Sequence, residues 1–370
     1  MRSNERTALS GNAQGAPRFT QGGKLGFSTG EAATDIGGKS WHPPAGMRLG
    51  ATFYVRNAFP WLGQHFGGQK IASTLSPGIG GVLSWGGRMP AKTAAAISRL
   101  RGLPRWNLED GFLRSVGLGK AGAVPLSIVV DDLGLPVDAS RPSRLERLIA
   151  GAEDAGDLGK AIREQIVRNR LSKYNHLPHR APVIERTTKR RILLVDQVVG
   201  DVSVGKALGS HASFERMLSD ALASGAQCVI RTHPDVMAGH RKGYLTKEIA
   251  GKSDVIFLND AISVASVLDV VDEVWTVSSQ FGFDALLRGI PVRCYAAPFY
   301  AGWGVTEDQF GVYAKASLAG RRTKRRTVDQ IAAAALSLYP TYRDPAGWRQ
   351  IDIFRAIELI VAQQRAETRS

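Results

Sequence analysis

Residues 195–210, VDQVVGDVSVGKALGS, follow the apolar run Ile192–Leu194. From Gly200 they read GDVSVGKA, one position away from the phosphate-binding pattern G-x-x-x-x-G-K-[ST]. That pattern needs a hydroxyl after the lysine for Mg²⁺ and a helix that begins there. Here the position is Ala207, Gly209 interrupts, and Ser210 is the better N-cap. The stretch is therefore expected to be a flexible turn whose glycines, Gly200 and Gly205, let it carry Asp201 into a cleft, with Lys206 dispensable. Glu109-Asp110-Gly111 closes another strand-like run, and carboxylates there suit general acid–base work or cap a plain turn. His233 ends a strand in RTHPD; it is either a hydrogen-bonded structural residue or, with Arg231, an anion contact. Ser278, Ser279 and Gln280 precede the helical pattern QFGFDALLRG. Their hydroxyls and the first amides either bind a phosphate or cap the helix. Asp284 lies one turn further in, where a carboxylate accepts from ribose hydroxyls. No metal site is expected: His176 and His179 are the only close His pair, with no Cys or acidic cluster beside them.

These residues need elements to hold them. RILLVDQ, QCVIRTH, DVIFLND, EVWTVSS and PVRCYA are short runs dense in β-branched and aromatic residues, mostly separated by helical patterns such as ASFERMLSDALA. Continuous apolar strands alternating with helices indicate a parallel sheet covered on both faces, with ligands beyond the strands' carboxyl ends. The first half offers ATFYVRN, VLSWGGR, PRWNLED and PLSIVVDD as strands, with helices over 91–101, 143–152 and 157–172. Helices over 327–338 and about 345–366 follow. The expected fold is α/β: two Rossmann-like halves with C-terminal helices.

The chain has 370 residues, 44% of them hydrophobic and 22% charged, which fits two soluble domains. No apolar run is long enough for a membrane span, and the polar N-terminus has no secretory h-region. Cys228 and Cys294 lie in apolar runs and read as buried free thiols of a reducing compartment. The net charge of +15 calls for an anionic partner. Basic clusters at 161–191 and 320–326 lack the interleaved aromatics of an RNA-binding sheet, so no nucleic acid is expected. They are either a solvated face or a surface for an anionic membrane or acceptor.

Together the motifs EDGFLRSVGLG (109–119), LSKYN (171–175), VDQVVGDVSVG (195–205), RTHPD (231–235), SSQFGFDALLRGIPVRCY (278–295) and APFYAGWG (297–304) resemble the bacterial capsule polysaccharide synthesis family, whose members are β-Kdo glycosyltransferases. The polar, Gly-rich residues 1–45 read as a disordered or loosely attached segment, and the resemblance implies a GT-B fold of two facing Rossmann-like domains after it. An acceptor-side domain over 46–185 and a CMP-sugar-binding domain over 186–322 would follow. The remaining 323–370 would form helices packing back on the first domain. It implies a CMP-Kdo donor, no metal, a lipid-linked acidic glycan acceptor and other capsule assembly proteins as partners. The place implied is cytoplasmic, at the inner face of the plasma membrane. Gln197, Arg231, His233, Ser278, Ser279, Gln280 and Asp284 would hold the donor, and Arg114 and Lys173 the sugar carboxylate or acceptor. Retention of configuration would make Asp201 the nucleophile and Asp110 or Glu109 the base. Known members of this type carry two modules in tandem, and this chain matches one. Two other readings stay open: an inverting sialyltransferase-like enzyme with Asp110 as base, and a non-catalytic polyanion-binding protein.

Overall fold

A computed structural model of the protein describes residues 41–119, 122–185, 187–237, 239–245 and 255–367. Of the segment expected to be loose, 1–40 lies outside these. Trp41 is buried, and its carbonyl accepts the Trp106 indole N–H at 2.8 Å. Packed chain is therefore present before residue 46.

Short apolar strands build the first sheet: β1 (Leu49–Ala51), β2 (Ala72–Ser73), β3 (Gly81–Trp85), β4 (Arg105–Asp110) and β5 (Ser127–Asp131). The first four run parallel in the order β2-β1-β3-β4, and β5 returns antiparallel, placing Asp110 opposite Ile128. Val55 and Leu62 cover one face over Leu83, Leu108 and Ile128, while Ala94 meets Val82 on the other. The expected strand ATFYVRN is mostly helix: β1 stops at Ala51 and a helix runs Phe53–Ala58. Helical spacing brings Val55, Phe59 and Leu62 down onto the sheet and leaves Phe53 and Tyr54 exposed.

The second half contains β6 (Arg191–Val195), β7 (Gln227–Arg231), β8 (Val255–Leu258), β9 (Glu273–Thr276), β10 (Val292–Cys294) and β11 (Glu307–Asp308). They form one parallel sheet in the order β8-β7-β6-β9-β10-β11. In chain order that is 3-2-1-4-5-6, the doubly wound arrangement of dinucleotide-binding folds. Ile192, Leu193 and Leu194 are fully buried, as a strand covered on both faces requires. Ser210 and Ser213 form a capping box at the start of the helix His211–Ala223.

The chain then recrosses to the first sheet. A helix over Val328–Ala333, with its own Thr327–Gln330 capping box, continues as a π turn to Leu338. β12 (Pro340–Arg343) pairs antiparallel with β5, and β13 (Gln350–Ile351) pairs with β12. The helix expected from about 345 begins at Ile353 instead, because Asp344–Trp348 form the turn of this hairpin. The largest apolar cluster contains Val129, Ile149 and Ile162 of the first half, Leu193 and Phe283 of the second, and Ala332–Ala335. The two Rossmann-like halves thus share one interior. The basic run at 320–326 is largely paired: Arg321 and Arg322 meet Glu146 at 3.1 and 3.0 Å, and Arg326 and the exposed Lys324 pair with Glu153. It clamps the crossing chain to the first half and is not a free basic face.

Candidate active site

In the second sheet the order in which strands are laid down reverses between β6 and β9. A crevice therefore opens at their carboxyl ends. Asp196 and Gln197 leave β6 there, and Ser278 and Ser279 lie just beyond β9. Gln197 braces the crevice: its Nε2 donates to Ser278 Oγ at 3.1 Å, and its Oε1 accepts the Ser278 amide at 3.0 Å. Ser279 acts as a cap, its Oγ accepting the Phe281 amide at 3.2 Å and its carbonyl accepting the Tyr300 hydroxyl at 2.6 Å. Gln280 reaches the other half, donating from Nε2 to the Phe112 carbonyl at 2.9 Å. The geometry here is that of a braced and capped turn, and any ligand would add to these bonds.

Asp201 is not on a flexible turn. The Asp201 amide donates to the Val198 carbonyl at 2.9 Å, and Gly200 between them takes φ +79°, a conformation that favours glycine. Asp201 is then the N-cap of a short helix, Val202–Lys206, with Oδ1 accepting the Ser203 amide at 2.9 Å. The bond fixes the carboxylate through Oδ1. Gly205 is inside that helix and makes no tight turn, which corrects its expected role. Lys206 is not idle either: its Nζ meets Asp138 Oδ2 at 2.6 Å.

The first half supplies the opposing groups from the carboxyl end of β4. Burial raises the Glu109 carboxyl to about 7, with Lys173 pulling down and Asp110 and Asp201 pushing up. Glu109 is thus within electrostatic reach of both Lys173 and Asp201. Asp110 differs from its neighbour: its Oδ1 lies 2.7 Å from Arg114 Nε, an ion contact without hydrogen-bond alignment. Arg114 is buried and also donates to Ser115 Oγ and the Ala123 carbonyl. Lys173 is positioned by its own backbone, which accepts the Arg114 amide at 3.1 Å, and its Nζ lies 5.7 Å from the Tyr174 ring centre. On the second half, burial raises buried Asp284 to about 7, against the pull of Arg288 and Lys173. Lys173 therefore faces acids from both halves.

Not every expected residue joins this cluster. Arg231 is buried, and its guanidinium donates to the carbonyls of Leu258, Asp260 and Ile262. It fastens the loop after β8, which corrects its reading as a phosphate contact. His233 stays at the carboxyl end of β7, where its Nδ1 accepts the Asp235 amide at 3.1 Å. Sequence reasoning placed Asp196 at the strand end but missed what it does: its Oδ1 accepts the amides of Gln197, Tyr244 and Leu245 and so anchors the neighbouring loop. Burial raises that carboxyl to about 6. It also missed Asp138, Tyr174 and the Gly86-Gly87 turn after β3. The paired glycines were the available signal, because they mark close backbone approach. Among the described residues, no group of three or more His, Cys, Asp or Glu is placed to hold a metal ion. Nor is any helix among them long and apolar enough to cross a membrane.

A family model described as capsule polysaccharide biosynthesis protein matches residues 81–182 and 157–342. The capsule polysaccharide modification protein LipA of Neisseria meningitidis serogroup B is 38% identical over 293 residues, covering 77% of this chain and 41% of that protein. The lipopolysaccharide-processing protein LpsZ of Rhizobium meliloti is 38% identical over 251 residues, covering 65% and 54%. The chain thus spans about half or less of these relatives. Among solved structures, the KpsC β-Kdo 2,4 transferase of Thermosulfurimonas dismutans superposes with a TM-score of 0.75 at 34% identity, over 85% of this chain and 98% of that one. The KpsC β-Kdo 2,7 transferase of the same organism shares the fold, with a TM-score of 0.62 at 24% identity over 86% and 99%. The chain belongs to the capsule polysaccharide biosynthesis protein family.

Proposed function

We propose that this chain is a GT-B glycosyltransferase that moves β-Kdo from CMP-Kdo to a lipid-linked or glycan acceptor with retention. The observation that supports the reading is that Glu109 lies within electrostatic reach of both Lys173 and Asp201, in a chain that superposes on a β-Kdo 2,4 transferase. In the first step Asp201 Oδ2 attacks the anomeric carbon, the bond to the phosphate oxygen breaks, and CMP leaves with that electron pair. In the second, the acceptor hydroxyl gives its proton to Glu109 as its oxygen attacks the same carbon, and the Asp201 carboxylate departs. Two inversions give net retention. A carboxyl titrating near 7 suits proton transfer at neutral pH, whereas Asp110 is held by Arg114. This favours Glu109 as base over Asp110.

His233, Ser278, Gln280 and Asp284 would line the CMP site, with Lys173 and Arg114 on the sugar carboxylate side. One phosphate on CMP carries little enough charge for basic side chains to neutralise without a metal. Residues 36–108 support an anionic membrane surface as the working place. They contain no Asp or Glu but nine basic residues: Lys39, Arg48, Arg56, Lys70, Arg88, Lys92, Arg99, Arg101 and Arg105. Phe53, Tyr54 and Met89 are exposed just beyond β1 and β3. The test is a donor screen scoring CMP release from CMP-Kdo and CMP-sialic acid, with anomeric analysis of the product. CMP-Kdo turnover to a β-linked product is expected. Turnover of CMP-sialic acid alone, or an inverted product, would contradict the reading.

A further inference from the structure

We propose that Lys206 and Asp138 form a latch between the two halves that positions Asp201. The proposal rests on the reading of Asp201 as the reacting carboxylate. Asp201 and Lys206 are the two ends of one helical turn, so whatever holds the lysine end sets the carboxylate end. The lysine end is held from three sides.

The first hold is the ion pair. Lys206 Nζ lies 2.6 Å from Asp138 Oδ2, and the Asp138 side chain is 8% exposed. Burial pushes the Asp138 carboxyl up, but hydrogen bonds from Lys206 and Ser140 outweigh it and keep it below the usual range. Asp138 is itself aimed, because its Oδ1 accepts both the amide and the hydroxyl of Ser140. The second hold is backbone: the Ala139 amide donates to the Lys206 carbonyl at 2.8 Å. The Ala139 carbonyl is gripped in turn by Ser317 Oγ at 3.0 Å and by the Arg321 guanidinium. The third is steric. A Cβ on Gly87 would lie 2.7 Å from Lys206 Cε and 3.2 Å from Val202 Cγ1, so the turn after β3 lies bare against this helix. That turn follows the strand next to β4, which carries Glu109. The latch therefore ties the Asp201 helix to the end of the sheet, at the carboxyl termini of β3 and β4, that supplies the base. A misplacement of even an ångström at a reacting group is costly, so such support is a determinant of rate. The near-P-loop lysine thus serves geometry and touches no phosphate.

The test combines steady-state kinetics with hydrogen exchange of the full chain. Lys206→Ala and Asp138→Asn are each expected to lower kcat about tenfold or more while donor KM moves less than about twofold. The double variant is expected to be no slower than the worse single one, as coupled partners require. Lys206→Arg should restore most of the rate. Without substrate, amides of 202–207 should exchange about tenfold faster in both single variants, with peptides elsewhere in the second sheet unchanged. Wild-type exchange in Lys206→Ala would overturn the latch. Faster exchange at wild-type kcat would overturn its positioning role. If the wild type released no CMP from any donor, the functional reading would fall, and the exchange arm would still decide whether the latch exists.

Discussion

Replacing Glu109 with Gln removes a group that the fold holds at a disadvantage. Its carboxyl rises from 4.5 to about 7, chiefly through burial, which disfavours the charged form. The native state thus keeps a proton that the unfolded chain has lost over that window. The carboxyl's contribution to stability is fully present below about 4.5 and disappears as the pH climbs to about 7. At 1.36 kcal/mol for each tenfold change in proton affinity, the loss reaches about 3 kcal/mol above pH 8, of which about 2.5 kcal/mol falls between pH 5 and 8. The amide has no proton to lose. Urea unfolding of both proteins from pH 5 to 8 should therefore show Glu109→Gln gaining about 2 kcal/mol or more over wild type across this range. The same substitution should slow transfer to the acceptor about 10²- to 10⁴-fold, the usual worth of a general base. It should also abolish the rise of wild-type kcat/KM with a midpoint near pH 7. Parallel stability profiles would refute the desolvated carboxyl, and wild-type turnover by the Gln variant would refute its role as base.

Two further expectations follow from neighbouring residues. His233→Ala should weaken CMP binding about 10- to 100-fold in calorimetry, the worth of a charge-assisted contact. Arg231→Met should instead lower the unfolding midpoint while the folded protein keeps its CMP affinity, since that guanidinium holds carbonyls. An unchanged Kd in the first, or a weakened one in the second, would reverse the assignment. The full chain should float with vesicles rich in anionic lipid and not with zwitterionic ones, and Arg88→Glu with Lys92→Glu should reduce flotation. Equal binding to both vesicle types would contradict an electrostatic surface.

The second sheet was legible because its strands are continuous apolar runs, and RILLV needs no partner to be recognised as a buried strand. The strand-end rule then singled out Glu109 and Asp201, which the fold brings within electrostatic reach, without any contact information. What it missed depends on partners distant in the chain. Arg231 looks like an anion ligand beside His233, but the carbonyls that capture it lie 27 to 31 residues on. Lys206 looks like a failed P-loop lysine, and its partner Asp138 is 68 residues back. ATFYVRN was misread because its β-forming residues carry a helical spacing that only the sheet beneath makes visible. The β12–β13 hairpin was hidden in the same way, since its pairing partner β5 lies about two hundred residues earlier.

The covalent bond proposed between Asp201 and the sugar is open to direct detection by peptide mass spectrometry. Wild-type enzyme would be incubated with CMP-Kdo and no acceptor, quenched in acid and digested. A Kdo adduct is expected on the peptide spanning 192–206, absent from Asp201→Asn, together with stoichiometric CMP release. An adduct on another peptide, or steady transfer to acceptor by Asp201→Asn at close to the wild-type rate, would contradict it.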